Sequence, residues 1–313
     1  MSFIRKTLVS GVVLAMATIP LIASCTYCGC SVDPITHTPQ KPGQWTLNLG
    51  IDYADQNKPF IASDAAVTGQ LSHHHDEQQT LTKRYSIGIT HHLSETLQLG
   101  LELPLISRYH RHIHNHHGDK LFQEWQLGGL GDMWFQAQYL LLSDQERKVY
   151  LLAGIKLPTG GTRLTNTIGD EAEVGIQPGS GSYDTKWGVS YHDHIILPLN
   201  TSIIYTTNGN GTDGWKNGDQ CAANLGTSIQ CLPSLAISVQ CNVLVIDKSL
   251  PGQTGEDVST TGGTYLYLTP GIEYTLTDNT ILTTQVQIPI YRYVNDIQLT
   301  ADLAMRAGIQ MTL

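Results

Sequence analysis

The residues best equipped for chemistry in this 313-residue chain are its histidines. His73, His74 and His75 run into Asp76 and Glu77, while His110, His112, His114 and His116 recur at every second position. Alternate residues of an extended backbone share a face, so the four imidazoles of the second tract would line up. Neutral imidazole suits zinc, copper or nickel, and histidine-rich tracts have a metal-binding composition. The competing reading is a hydrated surface loop that titrates near neutral pH. Nothing else in the sequence requires a cofactor.

The cysteines form two groups. Cys25, Cys28 and Cys30 lie together, where they could bind a soft metal, form a strained local disulfide, or simply flank a processing site. Arg5 and Lys6 precede an apolar run from Leu8 to Ile22 that ends in small residues, which predicts a secretory signal over 1–24. Ile22-Ala23-Ser24-Cys25 also resembles a lipobox, making Cys25 a candidate for lipidation. A periplasmic segment is expected over 25–43. Cys221, Cys231 and Cys241 fall in the second group. A hairpin turning at Leu232-Pro233-Ser234 would set Cys221 opposite Val245 and Cys241 opposite Leu225, so none of the three would meet another.

The elements that carry these residues are extended. Charged residues make up only 14%, yet mean hydropathy is −0.13, so the apolar residues are dispersed rather than gathered into spans. From Trp45 to Tyr53 the odd positions are apolar and the even ones small or polar, and the same alternation runs from Leu299 to Leu313. Similar segments near 81–91, 96–106, 124–142, 148–157, 183–192, 198–207, 219–231, 235–245, 264–276 and 280–290 bring the expected total to about twelve strands. Short turns alternate with long connections, the latter near 55–80, 107–123, 158–182, 208–218, 246–263 and 291–297. An all-β fold follows, a transmembrane antiparallel up-and-down β-barrel over 44–313 in a bacterial outer membrane, with lipid as its surroundings. Arg306 to Leu313 resembles the final-strand signal read by the barrel assembly machinery, although Leu313 replaces the usual aromatic end. With a net charge of −9 and no basic stripe, nucleic acid is excluded as a partner.

If the apolar phase meets lipid, the other phase faces inward. It carries Asp52, Arg84, Glu102, Asp132, Lys156, Asp184, Lys186, Glu273, Asp302 and Arg306. Buried charges must be paired or hydrated, so the interior is expected to be either a polar path for solutes or a salt-bridged lumen.

The middle of the chain is similar to a known family. Gly129-Leu130-Gly131-Asp132, then Ala153-Gly154-Ile155-Lys156-Leu157-Pro158-Thr159-Gly160, then Gln177-Pro178-Gly179-Ser180-Gly181-Ser182 with Asp184, resemble the outer-membrane transporter family named for the meta-pathway of phenol degradation. The resemblance implies a barrel that passes small molecules, hydrophobic or aromatic compounds among them, and carries over no catalytic residue. Two alternatives stay open: a metal-binding or adhesin-like barrel acting through its histidine-rich loops, and an outer-membrane lipid hydrolase. The hydrolase lacks a recognisable nucleophile motif, and no histidine stands mid-strand on the lipid face.

Overall fold

The computed structural model describes residues 41–71, 75–116, 119–194, 197–253, 255 and 257–313. The candidate signal, Cys25, Cys28, Cys30, His73 and His74 lie outside them. Thirteen strands occur among the described residues: β1 (Trp45–Ala62), β2 (Asp64–Ala65), β3 (His75–His92), β4 (Leu97–His116), β5 (Asp119–Leu130), β6 (Met133–Ser143), β7 (Arg147–Leu157), β8 (Asp184–Asp193), β9 (Leu199–Thr207), β10 (Gln220–Leu232), β11 (Leu235–Ile246), β12 (Gly263–Thr277) and β13 (Thr280–Thr312).

They build twelve staves. β2 is a two-residue flap on β1, and β5 and β6 follow one another along β4. The 33-residue β13 doubles back, its first arm pairing with β12 and its second with β1. Asp296 sits at the bend with φ of 56°, a conformation that Asp tolerates better than most residues. The arms lie side by side, with Arg292 Nη1 donating to Thr300 Oγ1 at 2.6 Å. Pairing of the last stave with β1 closes the sheet into a ring, from which β5 extends along β4 alone among the described residues.

Alternation dictates which face is which. Large apolar side chains such as Ile87, Leu101, Phe135, Ile203, Val239 and Ile288 are exposed, whereas Thr90, Gln136, Ser190, Asn224, Gln240 and Gln285 are buried. Apolar groups outside and polar groups inside is the inverse of a water-soluble protein, and it is what a bilayer demands of a closed barrel. The chain is an outer-membrane β-barrel.

The short connections 93–96, 144–146, 233–234 and 278–279 lie at one end, where Leu313 N also bonds to Trp45 O at 2.8 Å. Cys221 faces Val245 and Cys241 faces Leu225, the register expected from the turn at Pro233, and both thiols are free. At the other end the wall rises further than the sequence suggested. Most of 55–80 and 107–123 continues as strand, with His75 pairing to His114 and His116 to Asp119. The second histidine tract is therefore wall and not loop, because its alternation serves a pleated strand as readily as a loop.

Candidate functional site

The inner face carries two ionic groups. Arg84 lies between Asp52, at 3.3 Å, and Glu102, while Arg306 reaches Asp52 from the closing stave at 3.5 Å. The cross-strand pairs Asp52–Arg84 and Asp52–Arg306 place these groups on one level. Glu102 keeps 1% of its surface and pairs with Arg84. In the second group, Lys156 Nζ stands 3.3 Å from Asp132, contacts Asp184, and donates to Ser180 Oγ at 2.6 Å. Lys186 Nζ lies 4.3 Å above the Trp134 ring, a cation–π geometry. Glu273 is also buried. Of the ten residues expected inward, Asp302 differs. Its side chain is 60% exposed and pairs with Lys58 and Arg292, beside the register shifts between β1 and β13 near Gln56. Bulges of this kind break the two-residue phase on which the expectation rested.

The second ionic group is also the anchor of the connection 158–182. Asp132 accepts hydrogen bonds from Gly160 N at 2.9 Å and from Ser180 N and Ser180 Oγ, both at 2.8 Å. Ser182 Oγ donates to Asp184 at 2.7 Å. Gly160 and Gly179 pass so closely that a Cβ on either would come within 2.7 Å of the other's backbone. The motifs that are separate in the sequence, around Asp132, Gly160, Ser180 and Asp184, thus form one knot.

From this knot the connection folds inward over the buried face of β5. Trp125, Leu127, Ala172 and Ile176 make a small apolar cluster, flanked by Leu164. Trp125 Nε1 donates to Asp170 O at 3.1 Å and Arg108 Nη1 to Ile176 O at 2.8 Å. The fold therefore tucks 158–182 into the upper barrel. Arg108 and Trp125 were not singled out from sequence. Arg108 shares the inward phase of His110, a signal available only if 107–123 is read as strand, and Trp125 pairs opposite His110 on β5.

Above the ionic level lies a cavity of about 520 Å³. Apolar and aromatic groups (Trp215, Tyr265, Tyr267, Pro289) line it together with Arg108, Arg292 and an imidazole–carboxylate cluster. In that cluster His110 Nε2 lies 3.3 Å from Glu77 Oε2 and 3.3 Å from His112 Nδ1, and His112 Nδ1 lies 3.8 Å from Glu77 Oε1. His75 contacts Glu173, and its ring stacks on His112 with centroids 4.3 Å apart. His114 packs beside His75 at 4.8 Å. Burial disfavours the charge on Glu173, but the hydrogen bond from His75 and the nearby His110 and His112 outweigh it, so its carboxyl titrates below its ordinary value. Glu173 carries no sequence signal, because it reaches the histidines only through the inward fold of 158–182.

The closed barrel with its polar interior defines the class, an outer-membrane β-barrel. Residues 122–307 match the model of the family described as "Putative MetA-pathway of phenol degradation", and the chain belongs to that family. Among solved structures it is similar to the COG4313 outer membrane channel from Pseudomonas putida F1, at 11% identity over 90% of this chain and 100% of that one, with a TM-score of 0.66. It is less similar to the CymD monoaromatic hydrocarbon channel, at 8% identity over 88% of this chain and 89% of that one, with a TM-score of 0.44. No curated protein sequence matches it.

Proposed function

We propose that this barrel is a passive outer-membrane channel for small molecules, hydrophobic and aromatic compounds included, that acts without catalysis. The observation that carries this reading is the cavity. Its volume of about 520 Å³ fits a small organic solute, and Trp215, Tyr265 and Tyr267 stand on its wall among many polar side chains. A polar, charge-paired level beneath the cavity would let water and the polar end of a solute pass, while the aromatic walls solvate its ring. Family membership and the shared fold of the P. putida channel support the same reading.

The test uses the full chain, refolded and shown to be folded by its heat-modifiable migration. Single-channel recording in a planar bilayer and efflux of benzoate and of a disaccharide from liposomes are the readouts. Discrete conductance and benzoate efflux faster than from empty liposomes are expected. A folded barrel that gives neither overturns the reading.

A further inference from the structure

The imidazole–carboxylate cluster carries a chemistry that a solute path does not need. Glu77 Oε2, His110 Nε2 and His112 Nδ1 converge at 3.3 Å per contact to His110, and the remaining Glu77–His112 edge, to Oε1, is 3.8 Å. A tetrahedral zinc ion with bonds of about 2.0–2.1 Å holds its ligand atoms about 3.3–3.4 Å apart. The two contacts of His110 match that spacing, and the Glu77–His112 edge is longer.

The hydrogen bonds behind the rings set the protons to match. Gln123 Nε2 donates to Asp170 at 3.2 Å, so the amide oxygen of Gln123 is the atom that faces His112 Nε2, at 3.1 Å. An amide oxygen only accepts, which puts the proton of a neutral His112 on Nε2 and leaves the Nδ1 lone pair aimed at the cluster. On His110 the outer nitrogen, Nδ1, lies 2.9 Å from Thr80 Oγ1, an acceptor for its proton when Nε2 is a ligand. Metal-binding histidines have this arrangement, in which the outer nitrogen is held and the inner one presents its lone pair. Both rings are 1% exposed, and Glu173 contacts His75 beside them. The Arg108 guanidinium is directed to Thr82 and to the carbonyls of Ile176 and Gln177.

We propose that Glu77, His110 and His112 bind a divalent transition-metal ion of zinc type on the wall of the upper cavity. Its fourth position is open to the cavity, where it takes water or a donor oxygen of a solute. His75 and Glu173 border that opening. Copper and nickel suit the same ligands. The site does not depend on conduction, because its readout is binding.

The probe is Zn²⁺ in calorimetry and Co²⁺ in visible absorption, with full-length chain free of any histidine tag and refolded in detergent micelles. One ion per chain and the intense visible bands of four-coordinate Co²⁺ are expected. His110→Gln with His112→Gln removes both. Thr80→Val and Gln123→Leu, which remove the partners of the outer nitrogens and leave all three ligands in place, each weaken affinity by about 10–100-fold. His73→Ala with His74→Ala leaves binding unchanged. No stoichiometric ion on the folded wild-type chain overturns the proposal, as does binding that survives the double glutamine variant or follows His73 and His74. Should the double variant not fold, X-ray absorption of the zinc-loaded wild type decides. Two imidazoles and light-atom ligands at about 2.0–2.1 Å support the site, and any other shell rejects it.

Discussion

Lys156 is the most exacting test of how the interior holds together. It stands between Asp132 at 3.3 Å and Asp184, and all three side chains are buried. Lys156→Met keeps most of the packed stem but leaves two carboxylates without their shared cation. Asp132 still receives Gly160 N, Ser180 N and Ser180 Oγ, and Asp184 still receives Ser182 Oγ and Gly209 N. Hydrogen bonds stabilise the ions in part, yet removing one partner of a buried pair costs about 3–5 kcal/mol. Urea unfolding in micelles, followed by tryptophan fluorescence, should show a loss of that size. The same change should loosen 158–182, so trypsin should cleave faster after the exposed Arg163. Neutralising one acid relieves the repulsion, and Lys156→Met with Asp184→Asn should regain roughly 1–3 kcal/mol through coupling between touching residues. A loss below about 1 kcal/mol, or a double variant no more stable than the single one, would refute the idea that Lys156 stabilises the knot by charge.

Three further outcomes follow from the same geometry. Gly179→Ala places a Cβ 2.7 Å from Gly160 backbone and 2.8 Å from Asp132 Oδ1, so it should cost about 1–3 kcal/mol and speed cleavage at Arg163, whereas Gly129→Ala, which meets open space, should be near neutral in the same unfolding assay. Arg84→Met strands Glu102, which keeps 1% of its surface, and should destabilise by about 3–5 kcal/mol; Arg306→Met, whose contact to Asp52 is 3.5 Å and whose partner Asp52 keeps Arg84, should cost less, and equal losses in denaturant titrations would count against the ordering. Trp125→Ala removes the ring on which Ala172 and Ile176 pack and should cost about 3–5 kcal/mol, with proteolysis of 158–182 rising in parallel.

The wall of the barrel was legible because a bilayer enforces one rule along every stave. The two-residue phase that put Ile87 outside also put Glu102 and Lys186 inside, and a turn at Pro233 fixed the Cys221–Val245 register without tertiary information. The height of the wall was not legible. Above the membrane the outer face no longer has to be apolar, so Ser107 and Arg111 blur the contrast that marks a strand, and 55–80 and 107–123 read as loops. Asp302, expected inward and more exposed than the others, stands beside a bulge that shifts the phase without leaving a mark in composition.

The contacts that matter most to the interior are of a third kind. Asp132 with Ser180, Trp125 with Ile176 and Glu173 with His75 each join residues more than 45 positions apart through a connection that has no periodicity of its own. Resemblance picked out the short motifs at the base of that connection but said nothing of why they are needed. The geometry supplies the reason. A segment folded into a barrel must satisfy its backbone and polar groups without bulk water. Asp132 does so at the root, Gln177 does so at the turn by bonding both Leu164 O and Ala172 O, and Arg108 does so by capping the carbonyl of Ile176. Glu173 is the part of the segment turned toward the histidines. The residues that seat the connection therefore also deliver a carboxylate to the cavity wall. Loosening the root should disturb the histidine cluster about 20 residues of chain away from any direct contact with Lys156, so Zn²⁺ affinity of Lys156→Met would fall if docking of the segment shapes the site, and would stay at the wild-type value if Glu77, His110 and His112 alone define it.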